Sequence, residues 1–263
     1  MQAQPVKQTG IQEKTMAVLS MNFRGPRLGM TKTVNIITPK VEQAPGPWPV
    51  LYLLHGYSDN HTEWLYNTSL VRYAWERNMM IVMPDGLRTW YTNINEEDAM
   101  EQFITSDLVK YIDGTFNTIK SAAGRAIAGL SMGGYGAFML SMKNPDMYCC
   151  ASSHSGAFFY AHEIVKEMPQ KVRTDTERLA PEYDVFKLAA DMPKDKRFPL
   201  RFDCGESDWI LKWNRQMHEH LDSIGWSHTY NEYPGEHNWA YWDSHICQTL
   251  DFAMENFAKS KLK

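Results

Sequence analysis

Ile127-Ala128-Gly129-Leu130-Ser131-Met132-Gly133-Gly134-Tyr135-Gly136 is the stretch on which the reading of this chain turns. A short apolar run of strand type meets Gly-x-Ser-x-Gly, then residues able to start a helix. That is the context of a nucleophile elbow. In such a turn the serine sits at strained dihedrals, and a side chain at position 129 or 133 would collide with neighbouring backbone, so both positions favour glycine. The turn lifts the Ser131 hydroxyl clear of the sheet, and the helix N-terminus behind it favours developing negative charge. A Gly-rich turn with a spectator serine is the plainer account of five residues taken alone. The strand before them and the partners after them decide against it.

Working outward, segments 17–23 and 32–37 read as an antiparallel edge pair, followed by a turn at Pro45-Gly46-Pro47 and Pro49. Segment 50–54 is a continuous apolar run of the kind buried on both sheet faces, and 79–83 repeats it. Further strands are expected at 125–128, 148–152, 199–204 and 229–232, with helices at 67–77, 99–116, 134–143, 210–223 and 240–258. Strands alternating with helices imply an α/β fold with a mostly parallel sheet covered on both faces. Functional residues are then expected at the C-terminal ends of the strands. Residues 158–196 break the rhythm: they are charge-rich, lack strand signals and carry three prolines. They read either as a solvated insertion or as a small cap over the cleft within a single domain spanning 1–263.

A chain of 263 residues needs no disulfide or metal staple. With 43% hydrophobic and 22% charged residues it has the composition of an ordinary soluble globular protein. A net charge of -4 leaves no basic footprint for nucleic acid, and no apolar run approaches the ~20 residues of a membrane span. Cys149 and Cys150 are adjacent while Cys204 and Cys247 stand apart, so no zinc or redox spacing arises. A cytoplasmic setting is expected, with the trimmed start of a secreted protein as the alternative.

A serine hydroxyl needs a base, and the base needs an orienting carboxylate, in the chain order Ser, acid, His. Asp208, in the loop after an apolar strand, is preferred to Glu206; Asp203 still lies inside the strand. An N-cap role for Asp208 is compatible with catalysis. His237 is the base candidate, in a turn-rich loop between the last strand and the C-terminal helix. His218 and His220 diverge on their helix and cannot share a ligand. Surface exposure is expected for His61, His162, His228 and His245, and His154 is a candidate pocket residue. The oxyanion donors expected are the N–H groups of Met132 and Tyr57, the latter after Leu53-Leu54-His55-Gly56.

These blocks, with Val82-Met83-Pro84-Asp85-Gly86, Trp90-Tyr91-Thr92-Asn93, Cys204-Gly205-Glu206-x-Asp208 and His237-x-Trp239-x-x-Trp242, resemble the esterase D-like α/β-hydrolases. The resemblance is to their tributyrin esterase and feruloyl esterase branch and runs from about Phe23 to the C-terminal helix. It implies a serine carboxylesterase with Ser131, Asp208 and His237 as triad and an oxyanion hole from Tyr57 and Met132. The S-formylglutathione hydrolases are similar, but their nucleophile block usually reads Gly-His-Ser-Met-Gly-Gly, and Leu130 departs from it. His55, Trp90, Tyr91, Trp209 and Trp239, with Trp242, are the candidate pocket residues, able to stack an aromatic acyl group or a sugar ring. The expected reaction hydrolyses short-chain or aromatic acyl esters, acetyl and feruloyl among them, through an acyl-enzyme, with no metal or organic cofactor. A thioesterase, an acyltransferase and a non-catalytic binding module are the alternatives. The expected partner is a small ester, an acylated sugar being one candidate, and a homo-oligomer is allowed.

Overall fold

A computed structural model of the chain describes residues 16–40, 45–93, 99–159 and 181–260. Eight strands form one sheet: β1 Val18–Arg24, β2 Thr31–Ile37, β3 Val50–Leu54, β4 Met80–Pro84, β5 Arg125–Leu130, β6 Cys150–His154, β7 Leu200–Gly205 and β8 His228–Tyr233. Their order is β1-β2-β4-β3-β5-β6-β7-β8. β1 pairs with β2, and β2 with β4, in antiparallel fashion, while every other pair is parallel. From β3 the chain steps one way to β4 and then back across to β5. The β3–β5 junction is therefore the topological switch point, where a crevice opens at the C-terminal strand ends.

Apolar alternation in β3 shows how the sheet is covered. Val50, Tyr52 and Leu54 join one core with the helical stretch 100–115 and helices α5 Met132–Lys143, α6 Val185–Asp191 and α7 Leu211–Ser223. Leu51 and Leu53 face the other core, with α1 Glu63–Tyr66, α2 Leu70–Ala74 and α8 Trp239–Ser260. The stretch 100–115 consists of α3 Met100–Gln102, a π turn Phe103–Leu108 and α4 Val109–Thr115. Helix α5 is buried on all sides except at Lys143, which explains why its sequence is apolar without a polar stripe.

Three expectations shift. The helix expected over 67–77 is reduced to α2, Leu70–Ala74, and a separate short helix, α1, precedes it at Glu63–Tyr66. Thr68 Oγ1 bonds back to the Trp64 carbonyl and Ser69 N–H donates to Asp243 Oδ1 (2.8 Å), both competing with the helical ladder. β6 begins at Cys150 rather than 148. In the segment expected to be a solvated or capping insertion, Phe158, Phe159, Tyr183, Val185 and Ala189 are buried, with α6 packed on α5. Residues 160–180, the remainder of that segment, and His162 lie outside the described residues.

Candidate active site

Ser131 ends β5 with φ 51° and ψ -116°, a left-handed conformation that L-residues rarely adopt. Its N–H donates to the His154 carbonyl (2.9 Å), and its own carbonyl accepts from Tyr135 and Ala157 N–H (both 3.0 Å). A Cβ on Gly129 would lie 2.5 Å from the Gly133 backbone. One on Gly133 would lie 2.6 Å from the carbonyl oxygens of Leu54 and His55. These two glycines let β3, β5 and α5 meet closely enough to form the turn.

Two loops bring the partners in. Gly205 closes β7, where a Cβ would strike the Gly235 carbonyl at 2.5 Å, so the loops after β7 and β8 run side by side. They are joined by Glu206 N–H to the Tyr233 carbonyl (2.8 Å) and Ser207 N–H to the Gly235 carbonyl (2.9 Å). Asp208 thereby faces His237. The imidazole Nδ1 lies 3.0 and 2.9 Å from the two carboxylate oxygens, and Nε2 lies 3.0 Å from Ser131 Oγ. A carboxylate only accepts, so Nδ1 carries the proton and Nε2 presents a lone pair to the serine. Asp208 also accepts from Ile210 N–H (3.0 Å) and so supports the entry to α7. Burial opposes its charge, yet the bond and charge of His237, together with Ile210 N–H and Ser155, hold its carboxyl below the ordinary value. Glu206, the competing acid, is exposed.

A cleft of about 370 Å³ opens over this group, lined by Gly56, Tyr57, Ser58, Asp59, Leu130, Ser131, Trp209, His237, Asn238, Trp239 and Trp242. A hollow of about 420 Å³ at the far edge of β7 and β8, lined by Arg197, Trp226 and His228 among others, holds none of the three groups. Trp209 and Trp239 are thus at the cleft, and Trp209 is 56% exposed. His55, Tyr91 and Trp90, expected beside them, are not, because all three are buried beneath it. The Trp90 ring lies under Tyr57 at 5.6 Å, and Tyr91 donates to the His55 carbonyl (3.0 Å).

His55 has a different task from lining. Its Nε2 accepts the Gly86 N–H (2.8 Å), so Nδ1 must be the protonated nitrogen, and it lies 2.7 Å from the Gly56 carbonyl. Asp59 N–H donates to the same carbonyl (3.2 Å). A trans peptide is planar with C=O and N–H opposed, so fixing the Gly56 carbonyl fixes the Tyr57 N–H in the opposite direction. Burial lowers the His55 pKa and keeps the ring neutral in this role.

His154, a candidate for the pocket, is also buried. Its Nδ1 faces Asp203 Oδ2 (2.9 Å) and its Nε2 faces Thr249 (2.9 Å). Asp203 also receives Arg201 (2.6 Å) and Tyr241 (2.8 Å). Burial opposes this carboxylate's charge, but His154 and Arg201 bring its pKa down to about 2. His61 and His245, expected on the surface, are partly buried, and the side chain of His228 is only 2% exposed. Sequence reasoning passed over Asp59, Asn238 and Ser155. The signal for Ser155 was its place after β6: its φ is 46°, and Trp242 Nε1 donates to it (3.2 Å) beside Asp208. Among the described residues one trio of metal-ligand side chains comes together, His218, Asp222 and His228, away from the cleft. No helix among the described residues is long and apolar enough to cross a membrane.

The "Esterase" family model matches residues 25–253. An acetyl esterase of Caldicellulosiruptor saccharolyticus is 24% identical, over 90% of this chain and 98% of its own length. A solved ferulic acid esterase is 25% identical with a TM-score of 0.81, covering 93% of this chain and all of its own. The S-formylglutathione hydrolase FrmB of Staphylococcus aureus is likewise 25% identical with a TM-score of 0.78, over 91% of this chain and 99% of its own.

Proposed function

Because this chain belongs to the esterase family and is a serine carboxylic ester hydrolase, we propose that Ser131, His237 and Asp208 are its working triad. The observation that carries this reading is the continuous path from carboxylate through imidazole to hydroxyl at 2.9–3.0 Å. His237 Nε2 takes the Ser131 proton as Oγ attacks the ester carbonyl, and Asp208 holds the tautomer and stabilises the imidazolium. The N–H groups of Met132, at the start of α5, and of Tyr57 receive the oxyanion. Each such donor lowers the barrier by about 2.7–4 kcal/mol. His237 then protonates the departing alcohol, and water activated by the same imidazole releases the acid.

The cleft is at the small end of ligand sites, and Tyr57, Trp209, Trp239 and Trp242 supply its aromatic walls. Both features support short acyl groups or a single planar aromatic acyl group of the acetyl and feruloyl kinds, with an acylated sugar as the alcohol side. Phe159, the last described residue before 160–180, packs on Trp209 at 5.7 Å, which supports a capping role for the inserted segment within one domain. Four free cysteines suit a cytoplasmic setting. Thioester hydrolysis is the second reading, favoured by the likeness to FrmB.

A fluorophosphonate probe should label the wild-type protein at Ser131 and leave Ser131→Ala unlabelled, with loss of nitrophenyl acetate turnover. Retained turnover in Ser131→Ala would end the reading. Comparing methyl ferulate, acetylated xylo-oligosaccharides and S-formylglutathione then ranks the substrate classes.

A further inference from the structure

The geometry points to a transition-metal site of the zinc type, built from His218, Asp222 and His228 and separate from the ester-cleaving cleft. His218 and Asp222 are four residues apart on α7 and share a face. The chain then turns through Gly225 (φ 66°) and enters β8 at His228. One ligand atom from each of the three side chains lies within 4.8 Å of the others. His218 Nδ1 is 2.8 Å from His228 Nε2, and the Asp222 oxygens are 3.6 Å from His218 Nε2 and 4.0 Å from His228 Nε2.

The second observation is the orientation of His228. Its Nδ1 is 2.7 Å from the Trp226 carbonyl, which can only accept, so Nδ1 is protonated and Nε2 bears the lone pair facing His218. The side chain is 2% exposed and its ring is stacked on Phe202, while Tyr230 stacks on His218. A backbone carbonyl that fixes the tautomer and ring plane of an imidazole is the outer-shell arrangement metal-binding histidines use. Tetrahedral zinc with bonds of 2.0–2.1 Å sets its ligand atoms about 3.3 Å apart. The two nitrogens need to part by about half an ångström to reach that spacing. Asp222 Oδ1 needs to close on His228 Nε2 by less than an ångström from 4.0 Å, and at 64% exposure its side chain is free to do so. On metal entry the His218 proton moves from Nδ1 to Nε2, on the side of Asp222 Oδ2, so Nδ1 turns its lone pair to the metal with no net change in protonation, and water takes the fourth position. Two imidazoles with one carboxylate suit zinc and its late first-row neighbours rather than calcium or magnesium.

His228 begins β8 and His237 follows its other end, about 17 Å along the strand at ~3.3 Å per residue. The ion would act as a clamp between α7 and β8, the two elements adjoining the Asp208 and His237 loops, and would take no part in the chemistry.

The test is zinc titration of the chelator-stripped full chain by calorimetry and by competition with a chromophoric indicator. One saturable equivalent is expected, with a Tm rise of about 5–10 °C when zinc exceeds Kd about 100-fold. Cobalt should give the visible bands of a tetrahedral N,O site. His218→Gln should abolish that equivalent and its spectrum, and Asp222→Asn, at an exposed position that leaves folding intact, should weaken binding at least 10-fold. Absence of a saturable equivalent in the wild-type chain would overturn the proposal. So would an equivalent that survives both substitutions unchanged, since the metal would then sit elsewhere.

Discussion

Replacing His55 with leucine tests how the oxyanion loop is held. The substitution keeps volume in a buried site and removes two polar contacts, to the Gly86 N–H at 2.8 Å and the Gly56 carbonyl at 2.7 Å. The orphaned Gly86 N–H costs about 1–3 kcal/mol, and the Gly56 carbonyl, which keeps Asp59 N–H, loses about 1 kcal/mol. Together these come to about 2–4 kcal/mol, or a Tm about 5–12 °C lower in a protein of this size. The effect on chemistry follows from the Gly56–Tyr57 peptide. With one of its two restraints gone, the Tyr57 N–H drifts from the oxyanion, and complete loss of one donor sets the ceiling at about 2.7–4 kcal/mol. We therefore expect kcat on nitrophenyl acetate to fall about 10- to 1000-fold, with KM within about threefold because the planar ester makes little use of the hole. Steady-state kinetics alongside a folding check by circular dichroism make the measurement. His55→Gln, which can still donate and accept, should recover part of kcat. A folded His55→Leu protein with kcat within twofold of wild type would refute the claim that His55 aims the Tyr57 amide.

Asp208→Asn should lower kcat about 10³- to 10⁴-fold, because the amide favours the wrong imidazole tautomer, whereas Glu206→Gln should stay within twofold; kinetics on the pair would show the reverse pattern if Glu206 were the acid. Gly133→Ala forces a Cβ to 2.6 Å from two backbone carbonyl oxygens, so it should cost about 3 kcal/mol or more and lower soluble yield, read by denaturant melts. Stability should fall in two stages on acidification. Burial lowers the pKa of His55, His61 and His245, so below about 6.5 the unfolded chain takes up protons that the folded chain refuses. Asp203 is held at about 2, so the stability it contributes is complete above about 4 and is lost as pH falls towards 2. Urea midpoints measured from pH 8 to 3 check both stages; a flat midpoint between pH 7 and 5 would contradict the first.

The sheet and the elbow were legible because they rest on local signals. Runs such as Val50–Leu54 admit few alternatives to a doubly buried strand, and Gly129 and Gly133 are required by contacts their spacing implies. Strand–loop order picked out Asp208 and His237 for the same reason, and both lie in the loops where that order put them. Burial depth was not legible. His55, Trp90 and Tyr91 sit in blocks next to the cleft, and nothing in a one-dimensional pattern says whether a side chain points into a pocket or under it. The buried His154–Asp203–Arg201 network escaped notice because its members come from β6 and β7, neighbours only after the sheet forms. The contact between His218 and His228 was hidden similarly. His218 finds its partner not on its own helix but on the strand that follows it.

Ser131 pays for its exposure with a backbone conformation that only glycine occupies at ease. Such a torsion costs about 1–3 kcal/mol, so Ser131→Gly should be the more durable chain while losing the proposed nucleophile. Heat resistance alone, as a screening criterion, would reward discarding the hydroxyl proposed to attack the ester.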